Sequence, residues 1–469
     1  MATPDSRAVG FDLDQLQGKR VLVYSLGMEG RDLARFMLAH GAAVTVSDTR
    51  SPAQLQAAGA TLPAGVADLV SGEALLDPAG FDLLAISQSV LRSNPAVVRA
   101  RALGVPMTSQ MRLFLQLCPG KTIGITGSSG KSTTTALVGA MAAAAGIEHV
   151  VGGNIGEALM GRLGEITPDT TVILEISHTQ LQYTDRSPQI AAITNVTPNH
   201  LDQFSWDEYV GLKRNILSHQ SSGDVAILNA DDHTSRALMA SVEGRLARTS
   251  IEGEVTGDGA WLDGARIVVR RDGRLAEVAR REQIRLRGRH NVANTVMACA
   301  IGWEAGFPAE AMQRAIAAFR GVPHRLEVVG TRAGVVWVND SIATSPERTI
   351  AGLESFSEPV VLLLGGRDKN LPLDGLRELA KRRCRAVICF GEAGALFHEA
   401  MRSAVKTTTL VPTLEDAVAA AANVALSGDV VLLSPAGTSF DAFPSFEVRG
   451  EAFRRLVRDL PGLEGEVPS

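Results

Sequence analysis

Lys121-Thr122-Ile123-Gly124-Ile125-Thr126-Gly127-Ser128-Ser129-Gly130-Lys131-Ser132-Thr133-Thr134-Thr135 is the stretch that decides the fold. Its first five residues form an apolar, β-like run. Ala136-Leu137-Val138-Gly139-Ala140-Met141 follows as a helical pattern. A strand, a glycine loop, a Lys-Ser pair and a helix are the parts of a phosphate cradle. The glycines let the backbone turn tightly, so that successive N–H groups face an anion. The helix N-terminus adds its dipole and free donors. Lys131 is placed to reach the outer phosphates, and the Ser132 hydroxyl to hold Mg²⁺. Ile125 stands where the commoner pattern has a small residue, so the loop is a variant form. The bland alternative is an ordinary strand-to-helix turn containing Gly-Lys-Ser, and the flanking strand and helix argue against it. A bound nucleoside triphosphate is expected.

Outward from this loop, apolar runs alternate with helical patterns. The runs are Val21–Ser25, Ala43–Ser47, Leu83–Ile86, Thr122–Ile125, Val172–Glu175, Ile190–Thr194, Val225–Leu228, Val360–Leu364, Ala386–Phe390 and Val430–Leu433. Such alternation predicts an α/β protein with parallel sheets covered by helices. The 469 residues suffice for two to four domains. We divide them into blocks 1–117, 118–320 and 321–469. The first boundary falls in a linker near Leu115–Lys121, which contains Cys118-Pro119-Gly120, and the second lies near Phe319–Pro323. The polar, glycine-rich stretch Glu252–Glu282 reads as a β-hairpin excursion inside the middle block.

The first block opens with Val21-Leu22-Val23-Tyr24-Ser25-Leu26-Gly27-Met28-Glu29-Gly30, a strand entering a glycine turn. Its second strand ends at Ser47-Asp48-Thr49-Arg50. That is the layout of a dinucleotide-type half, with Asp48 placed to meet a ribose or base. With only Gly27 and Gly30, a plain βαβ turn fits equally well.

Composition bounds the function classes. Hydrophobic residues are 45% and charged residues 21%, as in ordinary globular proteins, and the net charge of −5 gives no reason to expect nucleic acid or an anionic membrane. Cys118, Cys299, Cys384 and Cys389 lack metal-site spacing, and a reduced, cytoplasmic chain is expected. Met1–Gly10 is polar and shows no signal peptide. Runs such as Ala136–Gly146 are too short to span a bilayer.

Further candidates lie at strand ends. Glu175 closes Val172-Ile173-Leu174-Glu175, where a carboxylate beside a phosphate loop can hold Mg²⁺. His200 and Asp202 follow Ala191–Thr194 and suit a metal or phosphate role as well as a structural one. Lys213 alone reads as a solvated helix lysine. In Gly288-Arg289-His290-Asn291-Val292-Ala293-Asn294, Asn291 is a candidate helix cap, and Asn294 could read an adenine edge. His324-Arg325, Asn339-Asp340-Ser341, Gly365-Gly366-Arg367-Asp368-Lys369 and Ser434–Asp441 lie at or beside strands of the third block, where α/β folds build sites. Their lysine, arginine and hydroxyls favour an anionic substrate.

Thr126–Thr134, Gly153-Asn154-Ile155-Gly156, Glu175, Asn199-His200-Leu201-Asp202, Lys213, Gly288–Asn294, His324-Arg325, Asn339-Asp340-Ser341 and Ser434–Gly450 occur in that order over most of the chain. Together they resemble the Mur ligases of peptidoglycan synthesis. Ser434-Pro435 through Ser439-Phe440-Asp441, then Phe446-Glu447-Val448-Arg449-Gly450, point to the glutamate-adding branch. The resemblance implies a Rossmann-like UDP-binding domain, a central ATPase-type domain and a Rossmann-like C-terminal domain. It implies ligation of D-glutamate to UDP-N-acetylmuramoyl-L-alanine at the expense of ATP, through an acyl phosphate, by a cytoplasmic monomer.

It also implies roles. Gly127, Ser128, Ser129, Gly130, Lys131, Ser132, Thr133 and Thr134 would hold ATP, with Asn294, Arg325 and Asp340 on the nucleotide. Ser132, Glu175, His200 and a carbamylated Lys213 would hold magnesium. Asp48, Thr49, Arg50 and Asn154 would contact the UDP-sugar. Thr344, Lys369, Ser439 and Phe446 would take the glutamate.

Several positions depart from the family's usual residues. Asp340-Ser341-Ile342-Ala343-Thr344-Ser345 stands for Asp-Ser-Lys-Ala-Thr-Asn, and Asn199 replaces an aspartate. His178 replaces a serine, and Ser87-Gln88-Ser89 replaces Ser-Pro-Gly. The altered acceptor pocket leaves an L-glutamate-adding variant open. A folylpolyglutamate-synthase-like ligase shares the phosphate loop but not the Asp48-Thr49-Arg50 block. A regulatory nucleotide-binding module would have no use for Lys131, Glu175, His200 and Lys213 together.

Overall fold

Lys121–Thr126 forms a strand buried from its second residue onward in a computed structural model. The structure describes residues 16–57, 59–155, 159–199, 201, 203–286, 288–369 and 371–464. Two compact units divide the chain at Phe319/Arg320.

The first unit holds two sheets. One is wholly parallel and comprises β1 (Arg20–Tyr24), β2 (Ala43–Asp48), β3 (Asp68–Ser71), β4 (Leu83–Ile86) and β5 (Met107–Ser109), in the order β3-β2-β1-β4-β5. The other comprises β6 (Lys121–Thr126), β7 (His149–Gly153), β8 (Thr171–Glu175), β9 (Ile190–Ile193), β10 (Val225–Asn229), β11 (Arg245–Ser250), β12 (Gly259–Asp263), β13 (Arg266–Arg271) and β14 (Arg274–Arg280). Its order is β14-β13-β12-β11-β10-β9-β6-β8-β7. Strands β7 to β12 and β6 run parallel, while β12, β13 and β14 form an antiparallel meander.

The sequence had suggested a β-hairpin excursion inside the middle block at Glu252–Glu282. It is instead a three-stranded meander that continues the main sheet, because β12 pairs with β11 through Arg248, Thr249 and Ser250. Ile267 and Val269 on β13 are fully buried, so this extension carries core of its own.

The second unit is built on β15 (Glu327–Arg332), β16 (Val335–Asn339), β17 (Val360–Gly365), β18 (Cys384–Phe390), β19 (Thr407–Leu410), β20 (Val430–Ala436) and β21 (Leu463–Glu464), in the order β19-β18-β17-β20-β16-β15-β21. β15 pairs antiparallel with β16 and β21, and the remaining pairs are parallel. Apolar clusters cover both faces, one around Leu362, Leu364 and Phe397 and the other around Trp337, Leu363 and Phe453. Burial on both faces explains why these strands read as near-continuous Val/Leu runs. The protein is thus α/β throughout, with parallel-dominated sheets. No helix among the described residues is long and apolar enough to cross a membrane.

Candidate active site

The strand order β9-β6-β8 brings the carboxyl ends of three strands together. From the end of β6 the chain enters the loop Gly127–Gly130, and the helix Lys131–Ala144 follows. Gly130 caps that helix at φ 80°, with no side-chain cap. A Cβ there would stand 2.2 Å from Asn294 Oδ1, so this position needs glycine for both its conformation and its neighbour. The loop is held from below. Thr194 Oγ1 donates to the Ser129 carbonyl at 2.6 Å. The Ser128 N–H donates to the Asn195 carbonyl at 2.9 Å, and the Ser129 N–H to Asn195 Oδ1 at 3.0 Å.

Two lysines converge on one carbonyl of this loop. Lys131 Nζ donates to the Gly127 carbonyl at 2.9 Å and to that of Ser128 at 3.3 Å. Lys213 Nζ donates to the same Gly127 carbonyl at 2.9 Å and to Thr126 Oγ1 at 3.1 Å. Lys213 is fully buried. The solvated reading of this residue is therefore wrong. The helix Trp206–Arg214 begins at a Ser205/Glu208 capping box and turns Tyr209 and Lys213, one turn apart, inward. Tyr209 Oη and Ser128 Oγ are 3.0 Å apart, and Lys213 Nζ lies 5.4 Å from the Tyr209 ring centroid. Burial, with the nearby Lys131 charge, pushes the Lys213 amine well below the ordinary lysine range, and Glu175 opposes the shift only in part.

Glu175 ends β8 and is buried. Asn154 Nδ2 donates to its Oε1 at 2.9 Å, and the Asn154 N–H donates to its main-chain carbonyl at 2.8 Å. Its Oε2 is buried without a hydrogen-bond partner. A carboxylate oxygen left so is costly unless a cation or water takes it, and this donor set fits a hard divalent cation. Ser132, buried in the first helical turn after the loop, lies at the same strand ends. Among the described residues no group of three His, Cys, Asp or Glu is gathered that could hold a metal. His200 and Asp202 lie outside the described residues.

The helix Arg289–Ala305 starts at Gly288, and Asn291 is inside it rather than its cap. Asn291 Oδ1 accepts from Asn294 Nδ2 at 3.1 Å, which turns the buried Asn294 amide toward Gly130. Asn294 thus abuts the phosphate loop.

In the first sheet, Asp48 is spent on the scaffold. Its Oδ2 accepts from the Leu26 N–H at 2.7 Å and from Arg50 Nη2 at 2.7 Å, and its Oδ1 accepts from Arg50 N–H and Nε at 2.9 Å each. Despite burial, these bonds hold the Asp48 carboxyl down at about 2. Thr49 is exposed and Arg50 half-buried beside it. Asn154 joins Glu175 rather than this trio.

In the second unit, neighbouring strands β17, β20 and β16 end in the three loops singled out from the sequence. Lys369 Nζ donates to Thr344 Oγ1 at 3.1 Å, so these two candidates meet. Ser439 is buried, next to Thr438, whose backbone bridges Arg367. Phe446 begins the helix Phe446–Arg458, with its ring 6.4 Å from that of His324. Asp340 is buried; its Oδ2 accepts from Ser434 Oγ at 2.9 Å, and its Oδ1 from the Leu326 N–H at 3.2 Å. Burial raises its carboxyl to about 7, against the pull of the Ser434 bond and the Arg325 and Arg348 charges. Arg325 is half-buried.

Sequence reading passed over Thr194, Asn195, Tyr209 and Arg449. Fully buried Arg449 donates to Ser341 Oγ at 3.0 Å, the Ser341 carbonyl at 2.8 Å and the Gly437 carbonyl at 3.1 Å, tying two of the loops together. Asn195 and Tyr209 had a signal, since both lie in segments next to candidates.

Comparison with known proteins matches this layout. The Mur ligase middle domain matches residues 125–302, and the Mur ligase, glutamate ligase domain matches residues 324–437. The chain is 39% identical over 447 residues to the UDP-N-acetylmuramoylalanine--D-glutamate ligase of Symbiobacterium thermophilum, covering 94% of this chain and 98% of that one. It is 37% identical over 451 residues to the protein of that name from Clostridium kluyveri, covering 94% and 97%. Among solved structures, a UDP-N-acetylmuramate-alanine ligase from Thermotoga maritima aligns with TM-score 0.54 at 18% identity, covering 93% of this chain and 98% of that one. A pseudomurein peptide ligase type C from Methanothermus fervidus aligns with TM-score 0.52 at 16% identity, covering 94% and 99%. These two likenesses bear on the fold alone. With both domain models matched in order and relatives aligned along 94% of its length, the chain belongs to the Mur ligase family.

Proposed function

We propose that the chain is an ATP-dependent ligase that joins D-glutamate to UDP-N-acetylmuramoyl-L-alanine in peptidoglycan precursor synthesis. The observation that carries the reaction is the convergence of Lys131 and Lys213 on the Gly127 carbonyl beside Glu175. The relatives named for D-glutamate ligation, aligned nearly end to end, support the substrates. We keep three domains, 1–117 for the UDP-sugar, 118–320 for ATP and 321–469 for glutamate, and a monomer in the cytoplasm.

In this reading the alanyl carboxylate attacks the γ-phosphorus of ATP. An O–P bond forms, ADP leaves, and an acyl phosphate results. The glutamate amine then attacks the acyl carbon, loses a proton, and expels inorganic phosphate as the amide forms. Gly127 to Thr134 cradle the phosphates, and Lys131 leaves its loop carbonyls to neutralise charge on the transferring group. Asn294 borders the cradle, and the resemblance assigns Arg325 and Asp340 to the nucleotide. Ser132, Glu175 through Oε2, His200 and carbamylated Lys213 would hold magnesium, which when bound neutralises phosphate charge. Burial favours the neutral form of the Lys213 amine, the form that attacks carbon dioxide: its nitrogen lone pair forms the C–N bond, and a proton is lost to give the carbamate. Asp48, by fixing Leu26 and Arg50, shapes the turn that Thr49 and Arg50 offer to the UDP-sugar, which Asn154 would contact from beside Glu175. Lys369, Thr344 and Ser439 face the glutamate carboxylates, with Phe446 alongside.

Ile342, in place of a lysine, favours a second reading in which L-glutamate is added. Phosphate release from ATP with UDP-N-acetylmuramoyl-L-alanine and each enantiomer decides. D-Glutamate alone should support turnover. Release only with L-glutamate overturns the substrate, and release with neither overturns the ligase.

A further inference from the structure

The loops that follow β4, β7 and β8 meet at Gln88. Its Nε2 donates to Asn154 Oδ1 at 3.4 Å. Its Oε1 accepts from the Ser177 hydroxyl at 2.8 Å and the Thr179 hydroxyl at 3.1 Å. Its backbone N–H donates to Glu29 Oε2 at 2.7 Å, and Gln180 Nε2 donates to Glu29 Oε1 at 2.7 Å. Gln88 is thus anchored through both backbone and side chain. It stands one hydrogen bond from Asn154, which stands one hydrogen bond from Glu175.

The polarity of this chain is determined. A carboxylate only accepts, so Asn154 must present Nδ2 to Glu175 and turn Oδ1 the other way. Gln88 must then present Nε2 to that oxygen, which leaves its Oε1 for the two hydroxyls, as observed. Without Gln88 nothing else in this set donates to Asn154 Oδ1, and the amide is held only at its Glu175 end. Glu175 Oε1 would then keep a looser donor, and the direction of Oε2 would be less firmly set.

We propose that Gln88 is a positioning residue: it locks the Asn154 amide, which holds Glu175 Oε1 and keeps Oε2 presented to a divalent cation. The inference rests on the reading of Glu175 as a cation ligand. The resemblance drawn from the sequence puts a proline at this place, and a proline has no side-chain amide to donate. The same loop reaches the first sheet, where Ser89 Oγ donates to Ser25 Oγ at 3.2 Å.

The test reads cation binding directly. Mn²⁺ binding in the presence of ADP is followed by electron paramagnetic resonance for the full chain, for Gln88→Ala, Asn154→Ala and the double variant, and for Gln88→Glu. Outer partners of metal ligands typically carry about 10- to 100-fold in affinity. Gln88→Ala should weaken Mn²⁺ about 10-fold, at the low end of that range. The double variant should bind no worse than Asn154→Ala, because Gln88 acts through Asn154. Gln88→Glu should bind worse than Gln88→Ala, since a second carboxylate claims Asn154 Nδ2 and turns Oδ1 against Glu175. Unchanged Mn²⁺ affinity in Gln88→Ala, or independent losses that multiply in the double variant, overturns the proposal. Gln88 is half-buried, so its truncation spares the core, and an unchanged melting temperature establishes that the variant is folded. Because the readout needs no turnover, its failure is separate from a failure of the ligase reading, which phosphate release tests.

Discussion

Asp340 offers a sharp electrostatic prediction. Its carboxyl, ordinarily near 3.8, is raised by burial to about 7. A raised carboxyl means that the folded chain holds a proton that the unfolded chain gives up. The group is therefore neutral at no cost below its unfolded value, and it costs stability progressively as pH rises toward 7. Each tenfold in proton activity is worth about 1.4 kcal/mol, so the full cost above pH 7 is about 4 kcal/mol. Somewhat more than half of it is incurred between pH 5 and pH 8 by the same linkage.

Asp340→Asn removes this titration while keeping both contacts. The amide oxygen accepts from the Leu326 N–H, and the amide nitrogen donates to Ser434 Oγ, since a hydroxyl can accept. Urea unfolding of the full chain and the variant at pH 5 and pH 8 gives the difference in unfolding free energy at each pH. That difference should move in favour of the variant by about 2–3 kcal/mol between the two values. A difference that stays flat would mean that Asp340 is ionised throughout, with Arg325 and Arg348 holding its charge, and would refute the burial argument.

Gly130→Ala places a Cβ against Asn294 Oδ1 in a left-handed backbone; the conformation alone costs about 1–2 kcal/mol. Thermal unfolding should show at least that loss, and Asn294→Ala in the same chain should restore only the steric part. Lys131→Ala should lower phosphate release by at least about 100-fold, as for removal of a charge-stabilising donor; a normal kcat would contradict the phosphate assignment. Lys213→Ala should lose most activity and regain part of it with added formate or acetate, and full activity without them would remove its carbamylated role. Arg449→Lys keeps charge but cannot make all three of its bonds to Ser341 and Gly437. It should destabilise the second unit by about 2–3 kcal/mol, measured by urea unfolding.

What the sequence made legible follows from burial. Strands packed on both faces, such as Val360–Gly365, announce themselves as unbroken apolar runs. The strands not anticipated were mostly edge strands: Asp68–Ser71, Met107–Ser109, His149–Gly153 and Thr407–Leu410 each close one side of a sheet. Their single contacting neighbour asks little of their side chains, so their residues carry little signal. Glu252–Glu282 misled because alternation identifies strands without saying to what they pair. At the site, the loop and Glu175 were legible because local order dictates them. Lys213 was not: a lysine with depressed basicity looks the same in sequence as one in water, and only the tertiary placement of Thr126 and Gly127 distinguishes them. Asn291 failed as a cap because Gly288 already occupies that place.

The strand order of the central sheet also sets a schedule. β6 emerges from the ribosome first, yet its neighbours β8 and β9 come roughly 50 and 70 residues later, and Asn294 roughly 160 residues later. At about 5–20 residues per second, the phosphate loop waits about 10–30 s for its last neighbour to be synthesised. Until β8 and β9 follow, β6 has no sheet to join, and the loop beyond it still lacks Asn294 after they have paired. Synthesis of this chain therefore leaves its nucleotide loop incomplete until most of the first unit has left the ribosome.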